Sequence, residues 1–492
     1  MNNKDKGRKT TLGLTMVMAL FFIVCSGLPV MAGPGLSGGG GGAGKPCVIV
    51  DRSGNRIVIK KPFTRIISLY GAHTENLFSL GLDKEVIGVS RHEAFPPPAL
   101  SKPAFSYHDD AERFLAARPD LVLIRPMIAR GYGNLVRKLQ QAGITVVSLQ
   151  PTTIGEVYSY WRDLGKLTGR EKQAAKMVSE FKAGLARIHA LVQKVPPARR
   201  KRVYFEAIHS KMKTFSPSSI AMFALKTAGG INVAGDARSV RGTNIAAYGK
   251  EHILARADEI DVYLAQRGAM NHINVRRIVE EGGFGAIKAV RNGQVYIIDE
   301  KIVSRPTLRL LDGIYEIGRF LYPGVFNDVS AFRKIPRLTR AQFSEMFVKM
   351  TKMPLKTPDY RHDIQRRPAT RHKYGSFRDV DYTGHYYKFI ETAAYRGIFA
   401  NTSQPRFYPH RPITRRAVAY AIFVDFDLPE TKPVAIGDIR DSDPMYEQIR
   451  TAVGLGIMKL DQKGDFRPGN PVSGQELFRA ISQAIRITKS GR

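Results

Sequence analysis

The chain has 492 residues, with 76 Lys and Arg against 43 Asp and Glu and a formal net charge of +33. Its 43% hydrophobic and 24% charged residues are a globular mix, which excludes a disordered acidic chain, a collagen and a polytopic membrane protein. Two cysteines exclude a disulfide scaffold and a multi-cysteine zinc module. The charge asks for an anionic partner: nucleic acid, a membrane or a wall polymer.

Lys4, Lys6, Arg8 and Lys9 precede an apolar run from about Leu12 to Val30, and Val30-Met31-Ala32 follows. A charged start, an apolar stretch and small residues at a cleavage position predict a secretory signal over 1–32. Export takes nucleic acid off the list of partners. The alternatives are an uncleaved anchor, which Gly27 and Pro29 interrupt, and lipidation at Cys25, which Phe22-Ile23-Val24 precede in place of a small residue. Residues 33–46, with Gly38 to Gly42 and Gly44, read as a flexible spacer. No Gly-Lys-Ser/Thr follows to make a phosphate loop.

From Cys47 onwards short β-branched runs at Arg65–Leu69, Val86–Val89, Leu121–Ile124 and Val146–Leu149 alternate with helical-period segments such as Glu75–Gly81 and Leu135–Gly143. A second set follows at Arg202–Ala207, Asp261–Gln266 and Gln294–Asp299. Strand, helix, strand on this spacing predicts parallel sheets covered by helices. Between the sets, Met177, Phe181, Leu185, Ile188 and Val192 share one helix face, and Pro196-Pro197 ends the segment. The expected fold is α/β: lobe 1 over 47–152, a long linking helix over 153–197, and lobe 2 over 198–323. Two such lobes take a ligand between them, outside the carboxyl ends of both sheets.

Asp51-Arg52-Ser53-Gly54, Arg65-Ile66-Ile67-Ser68-Leu69, Thr74-Glu75, Leu80-Gly81, Val86-Ile87-Gly88-Val89, Phe95-Pro96-Pro97, Arg118-Pro119-Asp120-Leu121-Val122 and Ser304-Arg305-Pro306 occur in that order. This part of the chain resembles the class III, helical-backbone substrate-binding proteins that serve ABC importers of ferric siderophores, haem and cobalamin. The resemblance implies that Glu112 and Glu251, one on each lobe, dock onto an ABC permease. It also places the ligand against residues that follow the strands: Tyr70, His73, Arg91, His92, Tyr107, His108, Arg125 and Arg130 in lobe 1, and Tyr204, Glu206, His209 and Arg267 in lobe 2. Arginine forks suit carboxylate and catecholate oxygens, so an anionic iron chelate fits these residue types. Tyr107 or His108 as a haem-iron ligand is an alternative, and so is a bare metal ion held by His73, His92, His108 and His209. No cofactor of its own and no catalytic site is expected: Gly-x-Ser-x-Gly, His-Glu-x-x-His and P-loop patterns do not occur.

The tail from 324 to 492 repeats itself. Phe377-Arg378-Asp379-Val380, Tyr386, Gly397-Ile398, Phe407-x-Pro409 and Ile413-Thr414-Arg415 return as Ile436-Gly437-Asp438-Ile439, Tyr446, Gly456-Ile457, Phe466-x-Pro468 and Val472-Ser473. Helix, loop, helix units result, full at about 374–428 and 433–488 and partial at 330–352. They are expected to pack into one all-α body. The pattern resembles S-layer homology domains, which implies attachment to an anionic or modified cell-wall polymer. Arg340, Asp379, Thr414 and Arg415 are the contacts so implied; Gly474 stands where a third arginine belongs. The whole reads as an exported, envelope-attached solute-binding protein. The competing reading is a structural or adhesive envelope protein without a transport role.

Overall fold

Val, Ile and Leu runs bounded by polar turns form strands where the spacing predicts them. The computed structural model describes residues 47–91, 93, 95–239, 243–356, 377–382, 384–399 and 406–490. The expected signal, the glycine spacer and His92 lie outside the described residues.

An antiparallel hairpin, β1 (Cys47–Val50) and β2 (Arg56–Ile59), opens the described chain. Its turn is organised by Asp51, whose carboxylate accepts the backbone N–H of Ser53 and Asn55 at 2.9 Å and of Ser148 at 3.1 Å. Lobe 1 then builds β3 (Ile66–Ser68), β4 (Val86–Ser90), β5 (Ala104–Phe105), β6 (Leu121–Ile124) and β7 (Thr145–Ser148) into a parallel sheet of order β5-β4-β3-β6-β7. Its central strands β3 and β6 are buried along their whole length, and α1 (Gly71–Ser79), α2 (Ala111–Ala117), α3 (Pro126–Gly131) and α4 (Gly133–Gln141) flank the sheet. Successive connections leave β3 towards β4 and return to β6 on its other side, so the topology switches at β3 and opens a crevice at its carboxyl end.

The linking segment is two helices: α5 (Ile154–Thr168) and the 22-residue α6 (Glu171–Val192). A single helix fails because Gly169 adopts a left-handed conformation (φ +65°) that caps α5. Lobe 2 holds β8 (Arg202–Ile208), β9 (Lys213–Phe215), β10 (Ile231–Asn232), β11 (Arg238–Ser239), β12 (Ile245–Ala247), β13 (Val262–Arg267) and β14 (Val295–Asp299). The parallel core β8-β13-β14 continues into an antiparallel edge β9-β12-β11, while β10 pairs with the start of β8. Its helices are α7 (Ile220–Thr227), α8 (Lys250–Ala255), α9 (Val275–Val279), α10 (Lys288–Arg291), α11 (Glu300–Val303) and α12 (Leu310–Leu321).

The segment from Pro306 into α12 binds the lobes together. The Pro306 carbonyl accepts from Asn76 Nδ2 at 2.9 Å and from Trp161 Nε1 at 3.2 Å. Arg309 donates from Nε and Nη2 to both oxygens of Glu75, at 2.8 and 2.7 Å, with both side chains buried. Burial opposes the charge on Arg309, and Glu75 more than offsets this, holding the guanidinium pKa above its ordinary value.

The tail carries helices Arg340–Met350, Tyr387–Tyr395, Arg415–Asp425, Tyr446–Gly454 and Gly474–Ser490, with no strand among its described residues. Three backbone bonds close it into a ring: Leu338 N–H to Val472 O (2.9 Å), Ile413 N–H to Leu338 O (2.9 Å) and Val472 N–H to Ile413 O (3.0 Å). Thr339, Thr414 and Ser473 each accept an N–H at the start of the helix that follows. The partial unit is thus a full member of a pseudo-threefold body. One apolar cluster runs from Trp161 and Phe181 through Tyr315 and Phe326 to Phe343, Phe389 and Phe466, so tail and lobes share a core.

Candidate ligand cleft and wall-binding grooves

The lobes meet where β3 and β4 end. Arg305, just after α11, reaches across to lobe 1: a Cβ on Gly71 would lie 2.2 Å from its Nη1, so only glycine permits the approach. Arg305 Nη1 also stands 4.0 Å from Oε1 of the fully buried Glu93. Beside it, half-buried Tyr70 supports the guanidinium of Arg125, 4.6 Å above its ring. Burial raises the Tyr70 hydroxyl pKa, and the charges of Arg305 and Arg125 oppose this. Arg125 Nε and Arg305 Nη1 are buried donors with no hydrogen-bond partner among the described residues. One comes from each lobe.

Above this floor, Tyr107, His108 and Tyr132 form an aromatic group with centroid separations of 4.4 to 5.1 Å. Tyr132 OH lies 3.2 Å from His108 Nδ1. Arg91 and Arg113 both pair with Asp109, while Arg130 is exposed in the last turn of α3 and Arg267 at the end of β13. Glu112 and Glu251 are exposed in the first turns of α2 and α8, positions that complement a helix N-terminus.

Four expected cleft residues, His73, Tyr204, Glu206 and His209, sit elsewhere. His73 is 0% exposed, with Nδ1 2.7 Å from Tyr160 OH and Nε2 3.1 Å from the Ile124 carbonyl. It is a prop beneath Tyr70. Tyr204 lies in mid-strand and packs between Tyr248 and Tyr263 in the outer core of lobe 2. His209 is also buried: its Nδ1 donates to Glu206 at 2.8 Å, and Glu206 further accepts from Tyr263 and from Asn271 Nδ2 (3.1 Å). This hydrogen bond to Glu206 raises the pKa of His209 against its burial. Of the four histidines named for a bare metal ion, His92 lies outside the described residues, and among the described residues no group of three His, Cys, Asp or Glu could hold a metal ion. Sequence reading missed Arg305, Glu93 and Tyr132. Arg305 carried a signal, since it stands in the Ser304-Arg305-Pro306 block.

Burial depresses the pKa of His73 to about 3. The unfolded chain therefore binds a proton near pH 6.5 that the folded chain refuses until about pH 3, and stability falls as pH drops through that window. His73→Gln should flatten the difference in urea midpoint between pH 7 and pH 5; an unaltered slope would remove His73 as the cause.

In the tail, Arg340 Nε donates to Phe407 O at 2.7 Å with its guanidinium 4.6 Å over the Phe407 ring; Arg415 repeats this on Phe466 at 2.7 and 4.7 Å. Asp379 accepts the N–H groups of Phe407 (2.7 Å) and Tyr408 (2.8 Å), and Asp438 those of Phe466 (2.6 Å) and Arg467 (2.7 Å). These carboxylates hold Tyr408 and Arg467 at φ +56° and +57°. Asp379 is thus a turn anchor and Thr414 a helix cap. Arg415 is further taken up by Glu476. Arg340 instead lines a cavity of about 380 Å³ with Arg406, Arg411, Arg416, Tyr408 and Tyr420. Burial lowers the Arg340 pKa, and Asp379 works against that. Among these arginines Arg416 is paired, to Asp443 at 2.6 Å.

Two α/β lobes closed over a basic, aromatic crevice define a solute-binding protein. Residues 66–302 match the periplasmic binding protein family and belong to it; residues 376–419 and 435–478 match the S-layer homology domain, making the tail a module of that kind. An uncharacterised ABC transporter substrate-binding lipoprotein of Bacillus subtilis is 25% identical over 287 residues, 58% of this chain and 88% of the relative. A vitamin B12-binding protein of Vibrio cholerae is 25% identical over 272 residues, 54% of this chain and 92% of the relative. The crystal structure of a possible iron-binding, periplasmic solute-binding protein from Staphylococcus epidermidis is similar over 53% of this chain and all of that one, with 28% identity and a TM-score of 0.47. Among the described residues no helix is long and apolar enough to cross a membrane.

Proposed function

We propose that the chain is an envelope-tethered solute-binding protein that delivers an iron complex, a ferric siderophore, to an ABC importer. The observation that carries the ligand reading is the pair of buried guanidinium nitrogens on the cleft floor that make no hydrogen bond among the described residues, Arg125 Nε from lobe 1 and Arg305 Nη1, 4.0 Å from Glu93, from lobe 2. A buried donor without an acceptor is costly, and carboxylate or catecholate oxygens would satisfy both. Tyr70, Tyr107 and Tyr132 supply faces for the apolar parts of such a chelate. Exposed Glu112 and Glu251 would meet basic residues of the permease, fixing orientation more than affinity. Cobalamin is the second reading, favoured by the vitamin B12-binding relatives.

Titrating the protein with ferric catecholate and carboxylate siderophores, haemin and cyanocobalamin, read by absorbance, tests this. A ferric siderophore should bind most tightly, and Arg125→Ala or Arg305→Ala should each weaken it about tenfold, as hydrogen bonds to charged groups are worth about 1.5–3 kcal/mol. Cyanocobalamin binding without siderophore binding would replace the first reading by the second. Binding of none would sink both and leave the structural envelope role.

For attachment, the groove between the first two tail units offers Arg340, Arg406 and Arg411 to an anionic polymer, whereas Arg415 is already engaged. Arg340→Ala should lower co-sedimentation with purified cell wall about tenfold, the scale of one lost hydrogen bond to a charged acceptor, and Arg415→Ala much less. Equal effects would refute a single open groove. Deleting the tail is a poor substitute, because Tyr315 and Phe326 pack in the core it completes.

A further inference from the structure

The tail module does more than hang from lobe 2. It lies across both lobes on the side of α1 and α12. On lobe 2 it is fixed by Lys388 to Asp312 at 2.7 Å, by Arg319 Nη2 donating to the Met353 carbonyl at 2.8 Å, and by Phe389 edge-on to Tyr315 at 6.1 Å. It then reaches lobe 1. Tyr382 OH donates to the Phe78 carbonyl in α1 at 3.1 Å, and the rings of Tyr382 and Tyr387 stand edge-on to Phe95 at 5.7 and 6.3 Å.

Phe95 joins this contact to the cleft. It is 2% exposed, and the guanidinium of Arg309, the lobe-bridging partner of Glu75, lies 3.9 Å over its ring. Two residues earlier in the same loop stands Glu93, buried on the cleft floor and facing Arg305. The cleft-floor residue Glu93 and the tail-gripped Phe95 are therefore only two positions apart in the sequence. A cavity of about 440 Å³, lined by Phe95, Arg309, Tyr382 and Lys388, runs along this seam beside the aromatic contact.

We infer that Tyr382, through Phe95, is a positioning residue for the ligand cleft: the tail module sets the places of Phe95 and Glu93 and the spacing of the lobes. Cleft affinity and tail seating are then coupled, and by linkage each must affect the other. The inference stands on the cleft geometry and holds whichever chelate binds.

Amide-exchange mass spectrometry on the full chain tests it without a ligand. Tyr382→Ala should speed exchange in peptides covering 86–100 by about fivefold or more, with 262–267 in lobe 2 and the tail helices unchanged. Tyr382→Phe keeps the ring on Phe95, gives up the hydroxyl's bond to Phe78, and should restore near wild-type rates. Unchanged exchange over 86–100 in Tyr382→Ala overturns the proposal. So does Tyr382→Phe behaving as alanine does, since the aromatic bridge would then carry nothing. A general rise across all peptides would also overturn it, by marking simple destabilisation. With haemin and cyanocobalamin as probes, whichever wild type binds should lose affinity in Tyr382→Ala and regain it in Tyr382→Phe.

Discussion

Glu75→Ala should be the most damaging single substitution at the lobe junction, lowering stability by about 3–5 kcal/mol, the cost of leaving one partner of a buried ion pair alone. Arg309 would keep its charge, held over Phe95 and 6% exposed, and would lose the two bonds it makes to Glu75. Phe95 would feel the change directly and Trp161 through Pro306, whose carbonyl also holds Asn76. Trp161 is the single tryptophan of the chain, so its emission during urea unfolding reports this junction alone. Glu75→Gln retains one acceptor oxygen and should lose less. A paired Glu75→Leu, Arg309→Met chain should regain much of the loss, because buried pairs are replaceable by apolar groups more readily than they are broken. A loss under about 1 kcal/mol in Glu75→Ala would mean that the pair is solvated and does not lock the lobes.

The same junction shows what the sequence could and could not reveal. Thr74-Glu75 was visible as part of a family block, but a partner 234 residues away leaves no trace in local periodicity. Apart from the two-residue β5, the strands of both parallel cores were legible because each is a short, mostly apolar run between polar turns. The edge strands β9 to β12 were not: two or three residues long, they fall below any pattern, and β12 and β11 pair only with one another and with β9, not with the core strand β8. α5 and α6 read as one helix because their apolar faces are in phase and only the φ of Gly169 separates them.

Site residues divide along a similar line. Arg91 and Arg125 follow strands directly, Arg267 ends β13, and Arg130 lies in the last turn of α3. Tyr204 and His209 are buried instead, because strand β8 runs to Ile208 and both its faces are covered, so a polar residue near its end turns inward to Glu206 or the outer core. Type and spacing cannot tell a residue at the mouth of a strand from one a position too early. In the tail, Thr-Arg signals located the helix starts, but the full membership of the first unit was hidden. Its mark was Phe332, seven residues before Thr339, as Phe407 precedes Thr414 and Phe466 precedes Ser473.

That equivalence decides the second large effect, at Gly474. By analogy with Arg340 and Arg415, an arginine here should donate to the carbonyl of Phe332 and complete a third groove. Helix propensity also favours replacing the glycine, by up to about 1 kcal/mol for alanine. The packing predicts the opposite sign. A Cβ on Gly474 would lie 1.8 Å from the Phe332 oxygen and 2.6 Å from its carbonyl carbon, both backbone atoms that cannot swing aside. The seam is also tied by Gly474 N–H to Ile335 O at 2.9 Å, by Arg333 Nε to Gln475 at 3.0 Å, and by the Arg333 guanidinium 4.2 Å over Phe478. The chain that enters the tail from lobe 2 thus fills the space an arginine would need, and Arg333 supplies the cation over an aromatic ring from the other side. Gly474→Ala should cost about 1–3 kcal/mol and Gly474→Arg more, by forcing the first and third units apart. Neither should raise co-sedimentation with cell wall. A Gly474→Arg chain that melts like wild type and binds wall more tightly would show that the third seam is open. Reduced stability with unchanged wall binding would show that glycine is there to let the ring close.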